Sequence, residues 1–215
     1  QLLPVLQRLK ATFPVLSTIS CAARASDLLE KTPDELSLLR ANGLSLIYLG
    51  VESGDDEVLR RINKGVTAQE VMKAGEAADA AGIELSTMII LGLGGKERSK
   101  EHAIHTAEVL NALSPAMLGI MTLLPRVGTP LEQQIAAGRF QRLNRSETLQ
   151  ELLELLTRLQ LRRPSILRAS HLYNYVDLAG TLPEDQEELL QQVHKSLRED
   201  PAMEKELTYK NFGIF

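Results

Sequence analysis

A carboxylate closes the most apolar run of the chain. Leu44 to Val51 (LSLIYLGV) reads as a strand buried on both faces, and Glu52, Ser53 and Gly54 follow it before a helix opened by Asp55 and Asp56. A charged group at the carboxyl end of a parallel strand is where α/β folds carry their chemistry. Glu52 would equally serve as a cap for the next helix or as the partner of a lysine. Three other strand ends carry unusual residues: Arg24, the turn Gly92-Leu93-Gly94-Gly95, and the run Leu124-Pro125-Arg126-Val127-Gly128-Thr129-Pro130. Three glycines in four positions permit positive φ and a close approach of ligand to backbone amides. The turn lacks the Lys-Ser/Thr of a P-loop and the spacing of a dinucleotide fingerprint, so a tight strand-to-helix turn is the plainer account.

The elements that hold these residues alternate. Residues 2–12 have helical spacing, and Val15–Ala23 reads as a strand ending at Arg24. Thr32, Pro33 and Glu35 form a helix start with a capping box, and Gly43 stops that helix. After the Glu52 strand come helices over 55–63 and 67–81, the second stopped by Gly82. Strand 83–91, helix 96–113, strand 116–124 and a helix over 146–161 follow. Residues 166–172 allow one more strand, and 183–198 a charged amphipathic helix. Strands and helices alternating at this spacing predict a parallel sheet with right-handed crossovers, either an open doubly wound sheet or a (β/α) barrel. Both place the four strand ends on one rim.

The chain has 215 residues, 44% of them hydrophobic, a formal net charge of −4 and a pI near 5.7. That is enough for a full core, and it gives no electrostatic sign of binding nucleic acid or an anionic membrane. One cysteine excludes an internal disulfide and fits a reducing, cytoplasmic setting. Neither a signal peptide nor a membrane-spanning run is evident. The first residue is glutamine, in helix-like sequence, which suggests an excised fragment.

GVESGDDEVLRRINKG, ILGLGGKE and TLLPRVGTPL, in this order and spacing, resemble segments of the radical S-adenosylmethionine superfamily. The resemblance is to the group of oxygen-independent coproporphyrinogen oxidases and tRNA methylthiotransferases, and it covers residues 15–130. It implies a partial (β/α) barrel of parallel strands over 1–162, truncated at its N-terminus, and a C-terminal strand-and-helix extension over 163–215. It also implies S-adenosylmethionine and a [4Fe–4S] cluster in the intact protein, whose reaction would be reductive cleavage to a 5′-deoxyadenosyl radical that abstracts a substrate hydrogen. By the same resemblance Glu52, with Ser53 beside it, meets the polar part of the cofactor and Arg24 its carboxylate. Gly92, Leu93, Gly94 and Gly95 would flank the adenine, while Leu124 and Pro125 wall the ring. Gly94 stands where the family has proline, and Met88 where some relatives have a polar residue.

One departure governs activity. The family's cluster is held by a C-x3-C-x2-C loop, because iron–sulfur clusters need thiolates. Here there is only Cys21, inside a strand, read as a buried small hydrophobe. His102, His105, His171 and His194 are read as non-ligands, so no metal or catalytic residue is assigned. The chain by itself is expected to be inactive and to bind neither cofactor. The register implied by the resemblance also leaves strand 15–24 at an unpaired edge, a place for self-association. Two other readings stay open: a phosphate- or sugar-phosphate-binding (β/α) barrel, and a non-catalytic interaction module.

Overall fold

The computed structural model describes residues 2–199. In chain order the elements are α1 (Leu2–Thr12), β1 (Ile19–Ala23), α2 (Ala25–Leu29), α3 (Pro33–Ala41), β2 (Leu44–Glu52), α4 (Asp56–Arg61), α5 (Ala68–Ala80) and β3 (Glu84–Leu91). Then come α6 (Gly95–Leu113), β4 (Met117–Thr122), α7 (Pro130–Ala136), α8 (Arg145–Arg158), β5 (Ser165–Arg168), β6 (Ala179–Leu182) and α9 (Gln186–Arg198). The strands form one sheet in sequence order, β1 to β6. Five are parallel, and β6 runs antiparallel to β5. This is the mostly parallel α/β sheet of a partial barrel.

Local signals set the boundaries. Thr32 accepts from the Glu35 amide, Glu35 accepts from the Thr32 amide, and Pro33 opens α3. Thr67 with Glu70 and Asn144 with Glu147 repeat that device at α5 and α8. Gly43 leaves α3 at φ +103°, where a Cβ would be strained. Two short helices were not expected: α2, which starts directly behind Arg24, and α7, capped by Thr129. β6 was also missed, because AGTL has neither the length nor the apolar alternation of a strand.

Among the described residues the sheet is covered on one face only. Ile47, Leu49, Val51, Leu85, Ile89, Leu91, Leu118, Ile120 and Leu167 point to the helices and are buried, each worth about 1.5–3 kcal/mol when fully enclosed. The opposite face is a register of Ala22, Tyr48, Ser86, Met117 and Ile166, followed by Gly50, Met88, Gly119 and Arg168. Tyr48, Met88 and Ile166 are exposed there. β2 is therefore not covered on both faces, as its continuous apolar run suggested: the helices line one side of the sheet and leave the inner face bare. Among the described residues β1 pairs only with β2, so its outer edge carries no strand.

No described helix is long and apolar enough to cross a membrane. The last part of the expected extension, residues 200–215, lies outside the described residues.

Candidate functional site

Parallel, adjacent strands bring Arg24, Glu52, the Gly92 turn and Leu124-Pro125 to one edge of the sheet, in that order along it. What each side chain does there differs.

Glu52 ends β2 at φ +63°, a conformation that costs a residue with a Cβ about 1–2 kcal/mol. The β2–β3 register slips at the same place, between Gly50 and Glu52. Together the bulge and the turned backbone fold the carboxylate back over Gly50, where any Cβ would overlap Glu52 Oε1. Lys64, which follows α4, donates from Nζ to Glu52 Oε1 at 3.1 Å. Both side chains are about one-fifth exposed, at 20% and 21%. Lys64 is the lysine that partners Glu52. Its signal was its place in NKG at the end of a helix returning toward the Glu52 strand, which only the fold turns into proximity.

Arg24 does not meet Glu52. It bonds Asp27 at 2.9 Å in the first turn of α2 while Asp27 accepts from the Arg24 amide, and its side chain is 76% exposed.

Ser53 lies entirely inside, under the rim. Its hydroxyl donates to His102 Nδ1 at 2.8 Å and accepts from the Asp55 amide at 3.0 Å. His102 Nε2 then donates to the Ile90 carbonyl at 3.1 Å, which fixes one neutral tautomer. Burial lowers the His102 pKa to about 4, against the opposing pull of Ile90. Beside it Asp55 caps α4 through the Val58 amide, bonds Arg98 at 2.7 Å and meets His105 Nδ1 at 3.2 Å. Burial pushes the Asp55 carboxyl up, but Arg98, the Val58 amide and His105 outweigh it and bring it down to about 2. His102 and His105 thus tie the β2 exit to α6; the sequence showed only their spacing on one helix.

Gly92, Leu93, Gly94 and Gly95 are all buried. Gly92 and Gly95 need glycine for φ of +79° and +62°. At Gly94 a Cβ would sit 2.9 Å from the Arg98 carbonyl oxygen, and at Gly95 3.0 Å from that of Gln141. The space that glycine leaves open is filled by the chain's own atoms, so no phosphate cradle exists at these two positions. A glutamate from α8 enters beneath the turn. Glu151 Oε1 accepts from the Gly92 amide at 2.6 Å, and its other oxygen accepts from the Ser99 hydroxyl. Burial raises the Glu151 pKa to about 7, despite those two bonds. Leu124 and Pro125 stand half-buried at the exit of β4.

A cluster does not fit this chain. Cys21 is half-buried, packs against the core, and has its thiol pushed up by burial. No three His, Cys, Asp or Glu among the described residues stand together as a ligand set. At the β2 exit a carboxylate and an ammonium lie side by side, groups whose charges are complementary to an α-amino and an α-carboxylate group.

The structure is an α/β sheet with polar groups at its carboxyl edge, and comparisons with known proteins find chains similar to it. Residues 7–107 match the family described as the Radical SAM superfamily. That match spans 101 of the 215 residues.

An uncharacterized protein of Methanocaldococcus jannaschii is 30% identical over 135 residues, which is 62% of this chain and 41% of that one. Methylornithine synthase (PylB) superposes with a TM-score of 0.55 at 19% identity, over 89% of this chain and 49% of its own. Coproporphyrinogen III oxidase (HemN) from Escherichia coli, a radical SAM enzyme, gives 0.54 at 20% identity, over 72% and 35%. The archaeal Methanocaldococcus infernus Elp3 gives 0.54 at 19% identity, over 66% and 33%. At these identities the structures share the fold, and the chain spans less than half the length of each relative.

Proposed function

We propose that the rim of this chain holds S-adenosylmethionine in a radical-type, hydrogen-abstracting enzyme. The observation that carries the reading is the Glu52–Lys64 pair at the exit of β2. Glu52 takes the methionyl ammonium and Lys64 the methionyl carboxylate, so each charge of the amino acid meets its opposite at hydrogen-bond range. Lys64 has the role that the sequence suggested for Arg24, whose guanidinium is engaged by Asp27. The strained backbone at Glu52 supports this, since strain of that kind persists where it aims a working group. Leu124 and Pro125 supply an apolar wall for the nucleobase, next to the backbone of the Gly92 turn.

In a radical SAM enzyme the cluster and the sulfonium supply the chemistry; the residues here bind and orient. The thiolates for a cluster come from outside this chain, and the chain alone is therefore inactive.

Titration calorimetry with S-adenosylhomocysteine, which keeps the amino-acid and nucleoside ends without needing iron, tests the reading. Binding that is lost in Lys64→Ala and in Glu52→Gln is the expected result. No binding, or binding indifferent to both changes, rejects it.

A further inference from the structure

Glu151 has no part in the proposed ligand contacts, yet it is a buried carboxylate joined to the backbone of the turn they depend on. It reaches across from α8, at the level where β3 ends, and places one oxygen on the Gly92 amide. The Gly92 carbonyl in turn accepts from the Gly95 amide at 3.0 Å, so the whole bend is held between α8 and its own far side. The second oxygen holds Ser99 in α6. One carboxylate thus ties two helices and the strand exit at a single point. Core packing does not require a glutamate here: its helix neighbours Leu149, Leu152 and Leu155 supply the apolar contacts.

We infer that Glu151 is a positioning residue that sets the conformation of the Gly92–Gly95 turn, and that its ionisation controls how firmly the turn is held. An ionised carboxylate makes bonds to N–H groups about twice as strong as a neutral one does. When Glu151 is protonated, one oxygen turns donor toward Ser99, and Gly92 keeps only a neutral acceptor. The groups around it allow this change. His102 of α6 approaches to 3.7 Å but is neutral, its Nε2–H committed to Ile90. Lys96 pairs with Glu147, and Lys100 and Glu154 line the cleft above. β3 and the turn present only backbone groups, and the buried residues of α9 are Leu189 and Val193. Burial places the titration of Glu151 at about 7, so the two states exchange within an accessible range.

The consequence for ligand binding rests on the cofactor reading above; the hold on the turn does not. The test is amide NMR of the chain between pH 5.5 and 8.5, comparing wild type with Glu151→Gln. Glutamine keeps the shape, an acceptor for Gly92 and a donor for Ser99, but cannot ionise. The Gly92 amide proton should move downfield with a midpoint near pH 7 in the wild type and stay still in the variant, while Gly43 and Gly82 stay still in both. A Gly92 signal that does not titrate, or that titrates equally in Glu151→Gln, overturns the inference.

S-adenosylhomocysteine affinity, measured in parallel, should rise about three- to tenfold from pH 6 to pH 8 in the wild type and be flat in the variant. If Gly92 titrates as expected while the probe binds with no such dependence, the hold stands and its link to the ligand is overturned. If the probe binds to neither protein, it is the cofactor reading that fails.

Discussion

Lys64 Nζ lies 3.1 Å from Glu52 Oε1, although twelve residues separate the two and a full helix intervenes. Removing either partner should leave the fold nearly unchanged, because a partly exposed ion pair contributes about 0–1 kcal/mol. Affinity for an amino-acid headgroup should respond much more. Each lost charge-assisted bond is worth about 1.5–3 kcal/mol, roughly a tenfold loss or greater. Thermal melts and titration calorimetry of Lys64→Ala and Glu52→Gln separate the two effects. Equal losses of stability and affinity would count against a binding role.

Two glycines near this pair should behave oppositely when changed to alanine. At Gly50 the obstructing atom is the far end of the Glu52 side chain, which can move away. Gly50→Ala should therefore melt within about 1 kcal/mol of wild type yet lose affinity for the headgroup, since Glu52 is displaced. At Gly54 the obstructing atoms are the His105 carbonyl and the Thr106 amide, backbone that cannot yield without shifting α6. Gly54→Ala should cost about 2–3 kcal/mol in denaturant unfolding. A benign Gly54→Ala would mean that α4 and α6 are less closely apposed than described.

Stability against pH should expose the two buried neutral groups. Glu151 has its pKa raised, so its favourable contribution is complete below about 4.5 and lost as pH climbs through about 7. His102 has its pKa depressed, so its contribution is complete above about 6.5 and lost as pH falls through about 4. Between about 4.5 and 6.5 these slopes cancel, because the folded pair is neutral and the unfolded pair carries one charge of each sign. Glu151→Gln removes one slope. Its stability relative to wild type should therefore increase by roughly 3 kcal/mol from pH 4.5 to pH 7, read from urea unfolding at several pH values. A difference that is constant with pH would show that Glu151 titrates normally.

The outer edge of β1 invites another strand. The chain should self-associate with concentration in sedimentation equilibrium, and Ala22→Lys, which puts a charge on that exposed strand, should weaken the association at least severalfold. Monomeric behaviour at high concentration would show the edge protected.

How much of this was legible beforehand depended on distance along the chain. The start of α3 was readable because Thr32 and Glu35 are three residues apart and act locally; Thr67 with Glu70 and Asn144 with Glu147 show the same device at α5 and α8 in the structure. Parallel strand direction followed from strands and helices alternating at crossover length, and with it the single edge that carries Arg24, Glu52, Gly92 and Pro125; the strand order, β1 to β6, came from the structure. β6 escaped because a four-residue strand is defined by its partner β5 and not by its own composition.

The sequence by itself determined which residue types stand at the strand ends, since local propensity and hydrophobic period act within one element. Only the tertiary structure decided their partners. It brought Lys64 to Glu52, sealed Ser53 beneath the rim with His102, and set Glu151 from a distant helix under Gly92. Those contacts form between groups brought together by packing of the sheet against its helices, and no short-range pattern in the chain encodes them.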